Sequence, residues 1–236
     1  MSSPDLASPG LSGSDPVSLV CCELAGTIVS EGSVLERAFA EAIATQGVVP
    51  GTAAYARSMV VVDRSGGLPP RDVMHRLFAD DDAQAQAAYL AFERSYRTVV
   101  ERFGLATVPG AQDALATLAD SRLKVCLTSG FSRPTSRLML ERLGISRYAD
   151  LTLCLDDAPH GFPWPDLVLT AVLRLGIEDV ASVAVVGNNE NVITGGRRAG
   201  ARTLVGIPGD REAARLRAAG ATHLIKTVAE LPALLL

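Results

Sequence analysis

A lone carboxylate, Glu23, closes the run Ser18-Leu19-Val20-Cys21-Cys22, and the turn Gly26-Thr27 follows it. An acid at the end of a buried strand suits general acid or base chemistry, because desolvation raises its pKa toward neutrality. The same carboxylate could instead satisfy the loop amides of Ala25, Gly26 and Thr27. Four further segments carry groups able to meet a ligand. Thr128, Ser129 and Gly130 precede Phe131-Ser132-Arg133-Pro134, where amides at a helix N-terminus suit an anion, or Ser132 simply caps a helix. His160 has the pKa for proton transfer near neutrality, or is a solvated loop histidine. Phe162 and Trp164 offer an apolar pocket wall, or pack against a lid. In the polar run Asn188-Asn189-Glu190-Asn191, Asn188 is the side chain expected at a ligand and Glu190 could lean in; turn chemistry explains the run equally well.

These residues need elements to hold them. Ser18–Val29 reads as a buried strand and its turn. Residues 33–104 then read as helices throughout: one from Ser33, with Glu36 at capping-box spacing, then Thr52–Val62, a helix ending at Phe78, and Ala83–Phe103 capped by the aspartates at 80–82. Beyond Val108 the pattern alternates. Helices Ala111–Ala119, Pro134–Leu143, Pro165–Leu175 and Ile193–Ala199 interleave with strands Leu123–Thr128, Leu151–Cys154, Ser182–Gly187, Arg202–Gly206 and a short His223–Ile225. That order predicts an α/β fold, a doubly wound parallel sheet with right-handed crossovers. Ligands of such sheets bind outside the carboxyl ends of the strands, where Glu23, Thr128 and Asn188 fall. The predicted organisation is a disordered tail over 1–16, a core over 17–32 and 105–236, and an all-helical cap over 33–104 inserted after the first strand.

Lysine plus arginine number 22 against 26 acidic residues, a net charge of -4. That balance excludes a nucleic-acid surface, and no apolar run approaches the roughly 18 residues of a membrane span. Residues 1–16 have neither the cationic start nor the apolar core of a signal peptide, so the expected location is cytoplasmic. Cys21, Cys22, Cys126 and Cys154 fall in predicted strands without paired CxxC spacing, as buried reduced thiols do. Arg211, Arg215 and Arg217 read as a solvated helix face. A homodimer stays open.

Four segments in order resemble the sheet-end motifs of the haloacid dehalogenase superfamily, in the branch similar to phosphonoacetaldehyde hydrolase. They are Glu23-Leu24-Ala25-Gly26-Thr27, Thr128-Ser129-Gly130, Gly161-Phe162-Pro163-Trp164-Pro165-Asp166, and Gly187-Asn188-Asn189-Glu190-Asn191-Val192 ahead of Ala199-Gly200. The resemblance implies a Rossmann-like core under a helical cap. It also implies an aspartate nucleophile, a Mg²⁺ ion and a cation for phosphoryl transfer. In this sequence Glu23 stands at the nucleophile, Phe162 at the cation, and Asn188 and Val192 at the two acids of the last motif. The branch's imine-forming cap lysine aligns with Pro70, and neighbouring Arg71 stays protonated and cannot replace it.

Phosphoryl transfer depends on charge stabilisation, so these replacements predict that Mg²⁺ and its chemistry are lost, leaving no cofactor. The expected function is binding of a small organic metabolite between core and cap. The chain would act either as a non-catalytic homologue, a pseudoenzyme, or through metal-free acid–base chemistry at Glu23. The alternative is a phosphatase- or phosphonatase-type hydrolase with Glu23 as its nucleophile.

Overall fold

The computed structural model describes residues 16–209 and 213–236. The expected tail, apart from Pro16, and Arg211 therefore lie outside the described residues. In chain order the elements are β1 (Leu19–Glu23), β2 (Val29–Ser30), α1 (Val34–Ala44), α2 (Ala53–Arg64), α3 (Pro70–Leu77), α4 (Asp82–Phe103) and β3 (Ala106–Thr107). Then come α5 (Ala111–Ala119), β4 (Lys124–Thr128), α6 (Arg133–Leu143), β5 (Leu151–Leu153), α7 (Asp166–Leu175) and β6 (Val183–Gly187). The chain closes with α8 (Glu190–Ala199), β7 (Thr203–Gly206), α9 (Ala213–Ala219), β8 (His223–Leu224) and α10 (Leu231–Leu235).

Six strands form one sheet in the order β5-β4-β1-β6-β7-β8, with every neighbouring pair parallel. The chain winds from β1 to one side and then returns to the other, so the crevice between β4, β1 and β6 is the switch point. Period-two alternation assigns the faces. Val20 and Cys22 pack beneath α5 and α10 with Leu115, Leu118 and Leu231, whereas Leu19 and Cys21 face Leu167, Val168 and Ile193 of α7 and α8. Glu23 continues the second row. Alternation alone therefore aims its carboxyl at the start of α8.

Helices α1 to α4 bury a third core, led by Phe39, Ile43, Met74, Phe92 and Tyr96. Phe131, from the loop after β4, inserts into it, with its ring centroid 5.5 Å from Tyr96 and 6.2 Å from Phe92. Glu93 of α4 adds a polar tie: its Oε2 accepts from Ser132 Oγ and, at 2.7 Å, from Thr135 Oγ1. A carboxylate there also meets the positive end of α6. The two chain crossings between these helices and the sheet pair as the antiparallel ribbon β2–β3.

Local chemistry sets the boundaries. Asp81 caps α4 through Gln84 N, and Ser132 caps α6 through Thr135 N. The expected capping box at Ser33 does not form: its side chain makes no cap bond and its Oγ accepts from Arg37 Nε instead. Helix α8 begins three residues before the predicted Ile193, because Asn189 caps it. Strand β5 stops before Cys154; all four cysteines are free and buried. Arg215 and Arg217 are exposed. Among the described residues no helix is long and apolar enough to cross a membrane.

Candidate functional site

Between the sheet ends and the helices of residues 34–103 lies a cavity of about 190 Å³. From the sheet side it is lined by Glu23, Ala25, Gly26, Gly130, Phe131, Phe162, Asn188 and Asn189. From the other side come Glu31, Leu35, Phe39, Val62, the loop Ser65–Pro69, Pro70 and Val73. Its wall is mainly apolar, with two carboxyls set into it. No lysine, arginine or histidine is among these lining residues. The chain has two lysines, Lys124 and Lys226, and neither reaches the cavity.

Glu23 is 9% exposed, and its carboxyl is gripped from α8. Asn189 Nδ2 lies 2.9 Å from Glu23 Oε1, 3.0 Å from Oε2 and 3.2 Å from Asn188 Oδ1, donating toward all three. The orientation of this amide is fixed by its other end. Asn189 Oδ1 accepts from Asn191 N at 3.0 Å and Val192 N at 3.2 Å, which a flipped amide could not do. Thr27 Oγ1 and Asn188 N approach Glu23 Oε2 more loosely, each at 3.4 Å. Burial pushes the Glu23 carboxyl up to about 7; the hydrogen bonds from Asn189, Asn188 and Thr27 work against that rise, and the nearby Glu31 adds to it.

Glu31, on the strap from β2 to α1, was not among the sequence candidates. Its Oε1 accepts from the buried Tyr96 hydroxyl at 3.0 Å, and burial pushes its carboxyl to about 7 as well. Tyr96 lies 65 residues further along the chain. A lone glutamate ahead of a helix reads as solvent-facing, so no local signal marks it. Asn189 did carry one: an asparagine ahead of Glu190 and Val192 has the composition of a helix N-cap.

The other candidates sort by position. Gly26 has φ +72°, and an added Cβ would lie 2.1 Å from Asn188 Nδ2. Gly26→Ala should therefore displace Asn188 and cost about 1–2 kcal/mol, readable as a lower urea midpoint with unchanged slope. Thr27, Thr128 and Ser129 are buried beneath the site and do not line the cavity. Thr128 Oγ1 donates to Cys22 O at 3.3 Å, and Ser129 Oγ accepts from Phe131 N at 3.2 Å and lies 2.8 Å from Ser136 Oγ. Their side chains hold the loop that presents Gly130 and Phe131. Phe162 lines the wall, while Trp164 is half exposed against His160 and Arg198. His160 pairs with Asp166 at 3.1 Å on the outer surface. Glu190 faces a neighbouring polar groove with Arg64 and Arg215.

Residues 18–200 match the haloacid dehalogenase-like hydrolase family. The chain belongs to that family. Among curated relatives of this haloacid dehalogenase-like chain, the phosphonoacetaldehyde hydrolase of Pseudomonas paraeruginosa is 32% identical over 184 residues, covering 67% of this chain and 65% of that protein. That of Pseudomonas entomophila is 34% identical over 137 residues, covering 57% and 48%. The chain thus spans between about half and two thirds of these relatives' length. A phosphonoacetaldehyde hydrolase like protein from Oleispira antarctica shares the fold at TM-score 0.77 and 19% identity, over 96% of this chain and 94% of that one. A hydrolase from Pseudomonas syringae does so at TM-score 0.75 and 24% identity, over 91% and 95%.

Proposed function

We propose that this haloacid dehalogenase-like protein binds a small organic molecule lacking a phosphate group between its sheet ends and its helical cap. Glu23 then serves as a proton donor and acceptor, without Mg²⁺ and without acting as a nucleophile on phosphorus. The observation that carries this reading is the placement of Asn189 Nδ2 among Glu23 Oε1, Glu23 Oε2 and Asn188 Oδ1. Those three oxygens are the hard donors a magnesium ion would need. A neutral amide nitrogen, locked by its cap at the far end, occupies the point they share. The residues at this site do not fit the ion.

Charge supports the same reading. Phosphoryl transfer needs positive charge on the transferring oxygens, and the lining supplies two carboxyls and no cationic side chain. The imine route of the phosphonoacetaldehyde hydrolases, expected from the resemblance, needs an amine in the cavity; Pro70 lines it and both lysines lie elsewhere. A carboxyl held at about 7 is matched to proton transfer near neutral pH. The volume, about 190 Å³, suits a molecule little larger than benzene, which fills a cavity of about 150 Å³.

The test is direct. With Mg²⁺ present, p-nitrophenyl phosphate and phosphonoacetaldehyde should show no turnover above the protein-free rate. Benzyl alcohol should raise the melting temperature, and inorganic phosphate should not. Mg²⁺-dependent turnover that disappears in Glu23→Ala would replace this reading with a hydrolase using Glu23 as nucleophile.

A further inference from the structure

The cavity holds two carboxyls that approach it from different parts of the fold. Glu23 comes from the end of β1, and Glu31 from the strap that leads into α1. Both line the same cavity, and the charge on Glu31 adds to the rise that burial imposes on the Glu23 carboxyl. Glu31 uses only Oε1, toward Tyr96; its Oε2 has no hydrogen-bond partner among the described residues. Around them stand Leu35, Phe39, Val73, Phe131 and Phe162. No lining side chain can neutralise either acid.

Each class of ligand fares differently in such a space. An anion meets two acids and no counter-charge. A neutral molecule fills the apolar volume but brings no counter-charge. It leaves Glu23 with the donors of Asn189, Asn188 and Thr27, and Glu31 with the Tyr96 hydroxyl alone. A buried charge without a charged partner is costly. A cation with an apolar body answers both needs: its charge pairs with the acids where the surroundings screen poorly, and its body packs on the rings, whose faces also attract cations. Resting on the reading above, we infer that the ligand is a small organic cation, an ammonium group on an apolar body, held between Glu23 and the free oxygen of Glu31.

Three probes of similar size separate the classes: benzylamine, benzyl alcohol and phenylphosphonate, titrated calorimetrically into the 236-residue chain at about pH 8. That lies above the value of about 7 to which burial pushes both carboxyls. Benzylamine should bind at least about tenfold more tightly than benzyl alcohol, and phenylphosphonate should not bind. Glu31→Gln should reduce the amine's advantage over the alcohol to about threefold or less, with Glu23 alone left to pair with it. The wild-type comparison needs no variant and decides the matter even if Glu31→Gln does not fold. Equal affinity for amine and alcohol, or no binding by any probe, overturns the inference. If the alcohol still binds, the proposed binding of a small organic molecule without a phosphate group stands without it; tightest binding by phenylphosphonate would overturn both.

Discussion

Replacing Asn189 with leucine should cost the fold about 3 kcal/mol, read as a lower urea midpoint. Two losses add. The first is the α8 cap made by Asn189 Oδ1 to Asn191 N and Val192 N, with caps of this kind contributing about 0.5–2 kcal/mol. The second is the grip of Nδ2 on Glu23, a hydrogen bond to a charged group contributing about 1.5–3 kcal/mol. Asn189→Ser keeps an oxygen for the cap and should recover roughly half of the loss. If serine restores the whole of the loss, the side chain is only a cap and has no hold on the carboxyl.

Stability should also fall as pH rises from about 5 to about 8. Glu23 is held at about 7 against an ordinary 4.5, so between those values the folded chain binds a proton that the unfolded chain releases. Its contribution is complete below 4.5 and lost as pH rises through 7. At about 1.4 kcal/mol per unit, the full loss is up to about 3 kcal/mol. Glu31 acts with the same sign over the same window. His223, whose pKa burial lowers, opposes them weakly near 6.5. Asp157 sits at about 2, burial working upward but outweighed by hydrogen bonds from Cys154 and Arg133, so its transition falls below this range. In Glu23→Gln the decline should shrink by the share due to Glu23, with His223 unaffected. Urea unfolding at stepped pH measures it, and an identical slope in the variant would remove Glu23 as its source.

Much of the scaffold could be read from residue order. The run Leu19–Cys22 ending in Glu23, and the strict alternation beyond Val108, led to the parallel sheet, and α5 was placed to the residue because Pro109-Gly110 punctuates its start. The remaining features leave no decisive local mark in the sequence, for physical reasons. The ribbon β2–β3 has two residues per strand, too few for any periodicity. The polar run before α8 reads equally as turn or cap, and only the sheet's alternation, which aims Glu23 at that helix, decides that Asn189 does both. Glu31 is defined by Tyr96, and Gly67 by Asn189, whose side chain a Cβ there would meet at 2.6 Å. Such contacts join distant segments, and no local pattern carries them. The surface positions of His160 and Trp164 have the same origin: the turn that presents Phe162 to the cavity directs both away from it.

Beryllium fluoride with Mg²⁺ mimics a phosphoryl group on a carboxylate, and ¹⁹F NMR reads the bound species apart from the free one. If an amide nitrogen holds the oxygens that the ion would need, the wild-type chain should show free fluoride species alone at every Mg²⁺ concentration. A Mg²⁺-dependent bound resonance that vanishes in Glu23→Gln would contradict the account at its centre.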